Sequence, residues 1–256
     1  MQGIKIVLVE PAGALNIGAI ARIMKNMGLT QLILVKPHCD PVGEEARRMA
    51  VHAQNILDNL QIFESLPLAL QGCQRVMATT ARSRSLPTKL ETPRQGLPWL
   101  LENNFSTALL FGPEDRGLSN QELNYGQRFV GIPSNPEYAS LNLAQAVGIC
   151  AYELYQAHLQ PQIDKLTSYD NLQEERYSGF QDNSTPDRNA SVDALEAYYH
   201  HLESSLLDIG YLYPHTAQAR MAKFRRIYNR AYLSSEDVSM LRGVLRQVKW
   251  AIKQNK

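Results

Sequence analysis

Ile132-Pro133-Ser134-Asn135-Pro136-Glu137-Tyr138-Ala139-Ser140-Leu141-Asn142 joins an apolar run, Phe129–Ile132, to a helical pattern reaching from about Leu141 to His158. In that pattern Leu143, Val147, Cys150, Ala151 and Leu154 recur at the spacing of one buried stripe. Ser140 stands where a helix cap is wanted. The run before the loop is short and continuously apolar, as expected of a strand covered on both faces. The same grammar holds further back. Ile4–Val9, Leu32–Val35, Ile62–Phe63, Arg75–Thr79 and Ala108–Phe111 read as strands, separated by helices or loops. Such alternation predicts a parallel α/β sheet.

In an open α/β sheet the ligand crevice lies outside the carboxyl ends of the strands. Two further loops occupy such ends. One is Glu10-Pro11-Ala12-Gly13-Ala14-Leu15-Asn16-Ile17-Gly18, which leads to Arg22; the other is Phe111-Gly112-Pro113-Glu114-Asp115-Arg116-Gly117-Leu118. Their glycines permit close backbone approach, although Gly-Pro and Asn-Pro are also ordinary loop punctuation. The first loop opens a helix over Asn16–Met27, with Ile17, Ile20, Ala21, Met24 and Met27 on one face, Asn16 as N-cap and Gly28 as stop. Taken alone, Arg22 reads as a surface ion pair and Asn16 as a simple cap. There is no GxGxxG after the first strand, no phosphate-binding GxxxxGK[ST] and no GxSxG elbow.

Composition narrows the classes. Hydrophobic residues make up 44% of the 256, enough for a core. No apolar run approaches the roughly 20 residues of a membrane span, and Met1–Glu10 lacks the regions of a signal peptide, so a cytoplasmic protein is expected. Cys39, Cys73 and Cys150 are far apart, and His200 and His201 face different sides of a helix. Neither a disulfide framework nor a metal site is expected. The net charge of +1 hides an asymmetry: residues 1–213 hold 16 Lys/Arg against 23 Asp/Glu, and residues 214–256 hold 10 against 2. A basic segment on an acidic body fits a polyanionic partner, or simply a solvated pair of helices.

Residues 159–184 are polar and read as a linker, with a short helix near Leu172–Phe180. Beyond them the pattern is helical. Ser191–Leu212 carries Leu195, Tyr198, Tyr199, Leu202, Leu206 and Ile209 on a broad stripe; Thr216–Tyr232 and Ser234–Lys253 follow, the last opening on a Ser234/Asp237 capping box. Arg220, Lys223, Arg225, Arg226 and Arg230 lie on one of these helices. Arg242, Arg246, Lys249 and Lys253 share a face of the next. Tyr228, Tyr232 and Trp250 are interleaved, to pack the helices or to stack on unpaired bases.

The three loops together resemble the three motifs of the SpoU/TrmH branch of the SPOUT methyltransferases. These are Asn16-x-Gly18-x-x-x-Arg22, Phe111-Gly112-x-Glu114-x-x-Gly117-Leu118, and Ile132-Pro133 followed by Ser140-Leu141-Asn142-Leu143, in the family's order. Thr79-Thr80-Ala81-Arg82-Ser83-Arg84 and Asn135-Pro136-Glu137-Tyr138 resemble more narrowly the TrmJ group, which methylates the ribose at nucleotide 32 of the tRNA anticodon loop. Two departures stand out: a first loop rich in Pro and Ala, and Thr79-Thr80 where Thr-Ser is more usual.

The resemblance implies a SPOUT domain over residues 1–158, a parallel α/β sheet with a deep C-terminal trefoil knot. The linker 159–184 and an all-α basic extension over 185–256 complete the chain. It implies S-adenosylmethionine as methyl donor, held by Thr79, Thr80, Ala81, Gly112, Ile132, Ala139, Ser140 and Leu141. Arg22 becomes the candidate catalyst, with Asn16, Glu114, Ser140 and Asn142 orienting groups about the reacting centre. A guanidinium is a poor base, so phosphate binding and alkoxide stabilisation suit Arg22 better than proton removal. Arg82, Arg84, Arg220, Lys223, Arg225, Arg226, Arg230, Arg242, Arg246 and Lys249 become RNA-binding candidates. A homodimer through the Asn16–Met27 and Leu141–His158 helices is expected, with tRNA as partner and neither DNA nor membrane. Ribosomal RNA as substrate, and a non-catalytic RNA-binding protein, stay open as alternatives.

Overall fold

The computed structural model describes residues 1, 3–81, 90–167 and 189–254. Six strands form one all-parallel sheet: β1 (Ile4–Val9), β2 (Gln31–Val35), β3 (Gln61–Phe63), β4 (Arg75–Thr79), β5 (Thr107–Phe111) and β6 (Arg128–Val130), in the order β3-β2-β1-β5-β4-β6. All six expected strands are present, with ends shifted by a residue or two. The pleat explains their unbroken apolar sequences. Ile6, Leu8, Leu32, Leu34, Met77, Leu109 and Phe111 face one core, and Val7, Val9, Ile33, Val35, Val76, Ala78, Ala108 and Leu110 face the other. Each fully buried aliphatic side chain contributes roughly 1.5–3 kcal/mol, so neither sheet face tolerates exposure.

The first core is closed by α1 (Ala14–Asn26), a 3-10 helix (Leu97–Asn104) and α7 (Leu143–Thr167). α1 packs closely on α2 (Glu44–Ala50). Gly18 makes this possible, because a Cβ there would lie 2.2 Å from the Ala46 carbonyl oxygen. The connections between β2 and β6 also hold α3 (Gln54–Asp58), α4 (Leu66–Ala69), α5 (Pro93–Gly96) and α6 (Asn120–Leu123).

Two caps differ from expectation. α1 begins at Ala14 with Gly13 as its N-cap, so Asn16 sits inside the first turn and its side chain is free for other work. Asn142, not Ser140, caps α7: its Oδ1 accepts from the N–H groups of Ala144 and Gln145 at 2.9 and 3.3 Å. The expected stop at Gly28 is real, with φ +67. α7 runs past His158 into the stretch read as linker, and the helix expected near Leu172–Phe180 lies outside the described residues.

The extension is three helices, α8 (Val192–Asp208), α9 (Pro214–Arg230) and α10 (Ser235–Gln254). Leu195, Tyr198, Tyr199 and Leu202 are buried in its core, as the stripe predicts. Ile209 is 49% exposed, because it falls at the C-cap of α8 rather than on its packed face. The Ser234/Asp237 capping box forms as expected, with Ser234 N–H to Asp237 at 2.9 Å and Asp237 N–H to Ser234 Oγ at 3.0 Å. The extension docks on the sheet domain. Val192 joins the second core and donates its N–H to the Cys73 carbonyl at 2.8 Å. Asn229 Nδ2 donates to the Asn124 carbonyl at 3.0 Å, and the Tyr232 ring lies 5.7 Å from Trp99.

Candidate functional site

The strand order reverses between β1 and β5, so the loops that leave their carboxyl ends diverge and open a crevice there. The loop after β6 closes its third side. A cavity of about 370 Å³ lies among them, within the size range of small-molecule sites. Thr79, Thr80, Ala81, Gly112, Ile132, Ala139, Ser140 and Leu141 all line it. Every position that the family resemblance singled out for the donor therefore comes together, from three segments far apart in sequence. The strap Pro113–Leu118 lines it as well, and of that strap the motif reading had singled out only Glu114, Gly117 and Leu118.

The strap is a tight fold-back. A Cβ on Gly112 would lie 2.2 Å from Gly117 C and Leu118 N, and Gly117 turns at φ +67. Glu114 projects from it to the loop after β1. Its carboxylate accepts from the Ala12 and Gly13 N–H groups at 3.1 and 3.3 Å and from Asn16 Nδ2 at 2.8 Å. Asn16 Oδ1 then accepts from Asn142 Nδ2 at 3.0 Å. Glu114, Asn16 and Asn142 thus tie the three loops in one chain of hydrogen bonds. Burial raises the Glu114 pKa, but the bonds from Asn16, Ala12 and Gly13 outweigh it and hold the carboxyl below its ordinary value. Glu114 thus serves as an ionised structural orienter that ties the strap to the start of α1. Thr79 Oγ1 is likewise spent on the Leu110 carbonyl at 2.9 Å.

Ser140 is exposed at the cavity edge. Beside it Tyr138 is 79% exposed on a short turn that Asn135 caps from its side chain to Glu137 N–H at 3.1 Å. Arg22 is exposed on α1 with neither a hydrogen bond nor an ion pair among the described residues. It neighbours Ile23, which with Leu141, Ala144, Gly148 and Ile149 lines an open apolar groove between α1 and α7. Leu15, Ile149 and Tyr152 are exposed at 42%, 38% and 47% on the same two helices.

The RNA-binding candidates divide. Arg82 and Arg84 lie outside the described residues. Arg220, Lys223, Arg230, Arg242 and Arg246 are exposed, and Arg226 is half-buried. Arg225 is not available: it forks onto Glu196 in a two-bonded ion pair and lies 4.4 Å from the Tyr199 ring centroid. The cause is an acidic residue on α8 facing α9, which charge counting along one helix does not register. Lys249 is partly engaged, with Ser204 Oγ at 2.8 Å and Asp208 at 3.7 Å. Tyr228 packs edge-on against Tyr198 at 5.2 Å, whereas Trp250 is 60% exposed. The cysteines are free; burial pushes the Cys39 and Cys73 thiols up and that of Cys150 up to about 12, which disfavours their thiolates. Among the described residues no cluster of His, Cys, Asp or Glu suits a metal, and no helix is long and apolar enough to cross a membrane.

Residues 3–152 match the SpoU rRNA Methylase family model, and residues 193–256 match the C-terminal domain of the tRNA methyltransferase TrmJ. The chain is 40% identical to the tRNA (cytidine/uridine/adenosine-2′-O-)-methyltransferase TrmJ of Pseudomonas aeruginosa, over 96% of this chain and 93% of that protein. The crystal structure of TrmJ from Z. mobilis ZM4 is similar with a TM-score of 0.79 at 31% identity, over 96% of this chain and 98% of that one. A structure described as giving insights into the 2-OH methylation of C/U34 on tRNA is similar with a TM-score of 0.51 at 28% identity, over 61% of this chain and 97% of that one.

Proposed function

Since the chain belongs to the SpoU methylase family, and within it to the TrmJ tRNA methyltransferases, we propose that it methylates a ribose 2′-hydroxyl of tRNA, at nucleotide 32 of the anticodon loop. The observation that carries this reading is the convergence of Thr79–Ala81, Gly112, Ile132 and Ala139–Leu141 on one cavity of about 370 Å³ at the strand ends. The small and apolar part of its lining, Ala81, Gly112, Ile132, Ala139 and Leu141, suits an adenosyl group read by backbone atoms, beside the charged strap Glu114–Arg116. S-adenosylmethionine supplies an electrophilic methyl group there.

This chain's residues do the rest. The Glu114–Asn16–Asn142 chain fixes the start of α1 relative to the cavity. Arg22 is a permanent cation without an ion-pair partner among the described residues, ready for a phosphate beside the target ribose and for the charge that grows on the 2′-oxygen. Ser140, exposed at the edge, is placed to orient the incoming ribose. The exposed arginines of α9 and α10 hold the tRNA body through its phosphates, which adds affinity without reading sequence. A cytoplasmic enzyme acting on tRNA, with no role for DNA or membrane, follows from the same reading.

The homodimer belongs with it. The groove between α1 and α7 leaves Ile23, Ile149 and Tyr152 unsatisfied, and pairing there carries Arg22 into the interface. The trefoil knot implied by the family is the threading that sets loop three against the other two. Incubating the purified chain with methyl-labelled S-adenosylmethionine and unmodified tRNA or rRNA tests the proposal. Label on tRNA alone supports it; label on rRNA alone redirects the substrate, and no label on either refutes the enzyme.

A further inference from the structure

The strap Pro113–Leu118 has two outward grips on the loop after β1, and the family motifs account for only one of them. The first is Glu114. The second is Arg116, whose Nη2 donates to Glu10 Oε2 at 2.6 Å and to Glu122 Oε1 at 3.0 Å. Its Nη1 donates to Glu122 Oε2 at 2.9 Å and to the Gly117 carbonyl at 3.0 Å. The fork is anchored at its root, because Glu122 also accepts the Ser119 N–H at 2.6 Å in the capping box of α6. From that fixed base the guanidinium reaches across to Glu10, the last residue before the loop that opens α1.

Glu10 is a telling place to hold. Its φ is +48, a left-handed backbone that a side-chain-bearing residue rarely adopts unless its surroundings impose it. The Val35 carbonyl accepts its N–H at 2.7 Å, and Arg116 holds its carboxylate. The direction in which the chain leaves β1, and with it the placing of Asn16 and Arg22 on α1, depends on this residue. Hydrogen bonds from Arg116 to Glu122 and Glu10 stabilise the charged guanidinium.

We propose that Arg116 is a positioning residue for methyl transfer: through Glu10 it sets α1 against the donor cavity, and so governs turnover more than donor affinity. The proposal rests on the methyltransferase reading above. A small displacement of positioned groups lowers a rate steeply without unfolding the site.

The test is a double-mutant cycle of Glu10→Gln and Arg116→Gln in the full chain, with Arg116→Lys as the conservative variant. Turnover at saturating S-adenosylmethionine and tRNA, donor Kd by calorimetry and melting temperature are read for each. Arg116→Gln is expected to lower kcat about 10-fold; because Arg116 also lines the cavity, the donor Kd is judged on Glu10→Gln, where it should change by less than about 3-fold. Glu10→Gln should lower kcat similarly, and the double variant should be no worse than the poorer single one, since both act on the same Arg116–Glu10 bond. Arg116→Lys should recover part of the rate. If Arg116→Gln fails to fold, Glu10→Gln and Arg116→Lys decide alone. Wild-type kcat in folded Glu10→Gln, additive losses, or a defect cured by more donor would each overturn the proposal. A wild-type chain that methylates no RNA would instead overturn the functional reading, and the proposal with it.

Discussion

The loops at the strand ends and the basic extension carry comparable numbers of candidate residues, yet the structure treats them differently. In the loops, the eight donor-site positions converge on one cavity, and Asn16, Glu114 and Asn142 bond to one another. In the extension, a uniform-looking set of cations separates into exposed ones, such as Arg242 and Arg246, half-buried or partly engaged ones, Arg226 and Lys249, and Arg225, locked to Glu196 in the helix interface. The loops were identified by residue types at fixed spacing, which encodes geometry. The extension was identified by net charge, which does not say which way any side chain points.

Five perturbations sharpen that contrast. The largest effect is expected from Gly112→Ala. The added methyl would meet backbone atoms of Gly117 and Leu118 at 2.2 Å, which cannot yield without reshaping the strap. Donor affinity by calorimetry should fall on the order of 100-fold, and transfer with it, in a protein that still folds. Arg22→Ala comes next: turnover should drop roughly 100-fold with donor Kd unchanged. Lost donor binding there would move Arg22 into the cavity and break the division between the groups that hold the donor and those that act on RNA.

The extension should respond in two distinct ways. Arg242→Gln with Arg246→Gln should weaken tRNA binding and reduce the slope of log affinity against log salt by about 1 for each phosphate no longer neutralised. Arg225→Gln should leave that slope alone and instead lower stability in urea by about 2 kcal/mol. That is less than a fully buried pair would cost, because its side chain and that of Glu196 keep 18% and 17% exposure. Equal salt slopes for the two sets would erase the distinction between them.

The smallest effect concerns acid. The Glu114 carboxyl titrates below its ordinary 4.5 in the folded chain. Its ionised form therefore contributes stability above about pH 4.5, and loses it as pH falls through the depressed folded value. The urea-midpoint gap between wild type and Glu114→Gln should be constant near neutrality and shrink below that pH.

The sheet was legible because burial on both faces demands unbroken runs such as Ile4–Val9, which few other elements require. The donor cavity was legible only through the order and spacing of three motifs and the Thr79–Arg84 stretch beside them, since Pro133 or Gly112 alone is common turn chemistry. Local rules failed where a side chain had a distant partner. Asn16 looked like a cap until Glu114 and Asn142, roughly a hundred residues on, claimed its amide. Ser140 lost the cap of α7 to Asn142, two positions nearer the first turn. Arg116 went unmarked because its partners Glu10 and Glu122 belong to no shared motif. Gly18 looked like a ligand-loop glycine, and its missing Cβ instead lets α1 meet α2.

The central claim is that this cavity and these loops deliver a methyl group to one 2′-hydroxyl in the anticodon loop. The direct test compares two otherwise identical tRNAs, one with ribose and one with 2′-deoxyribose at nucleotide 32, incubated with the chain and labelled S-adenosylmethionine. The account predicts label on the first, recovered in a 2′-O-methyl nucleoside, and none on the second. Equal label on both, or label recovered in a base, would contradict it.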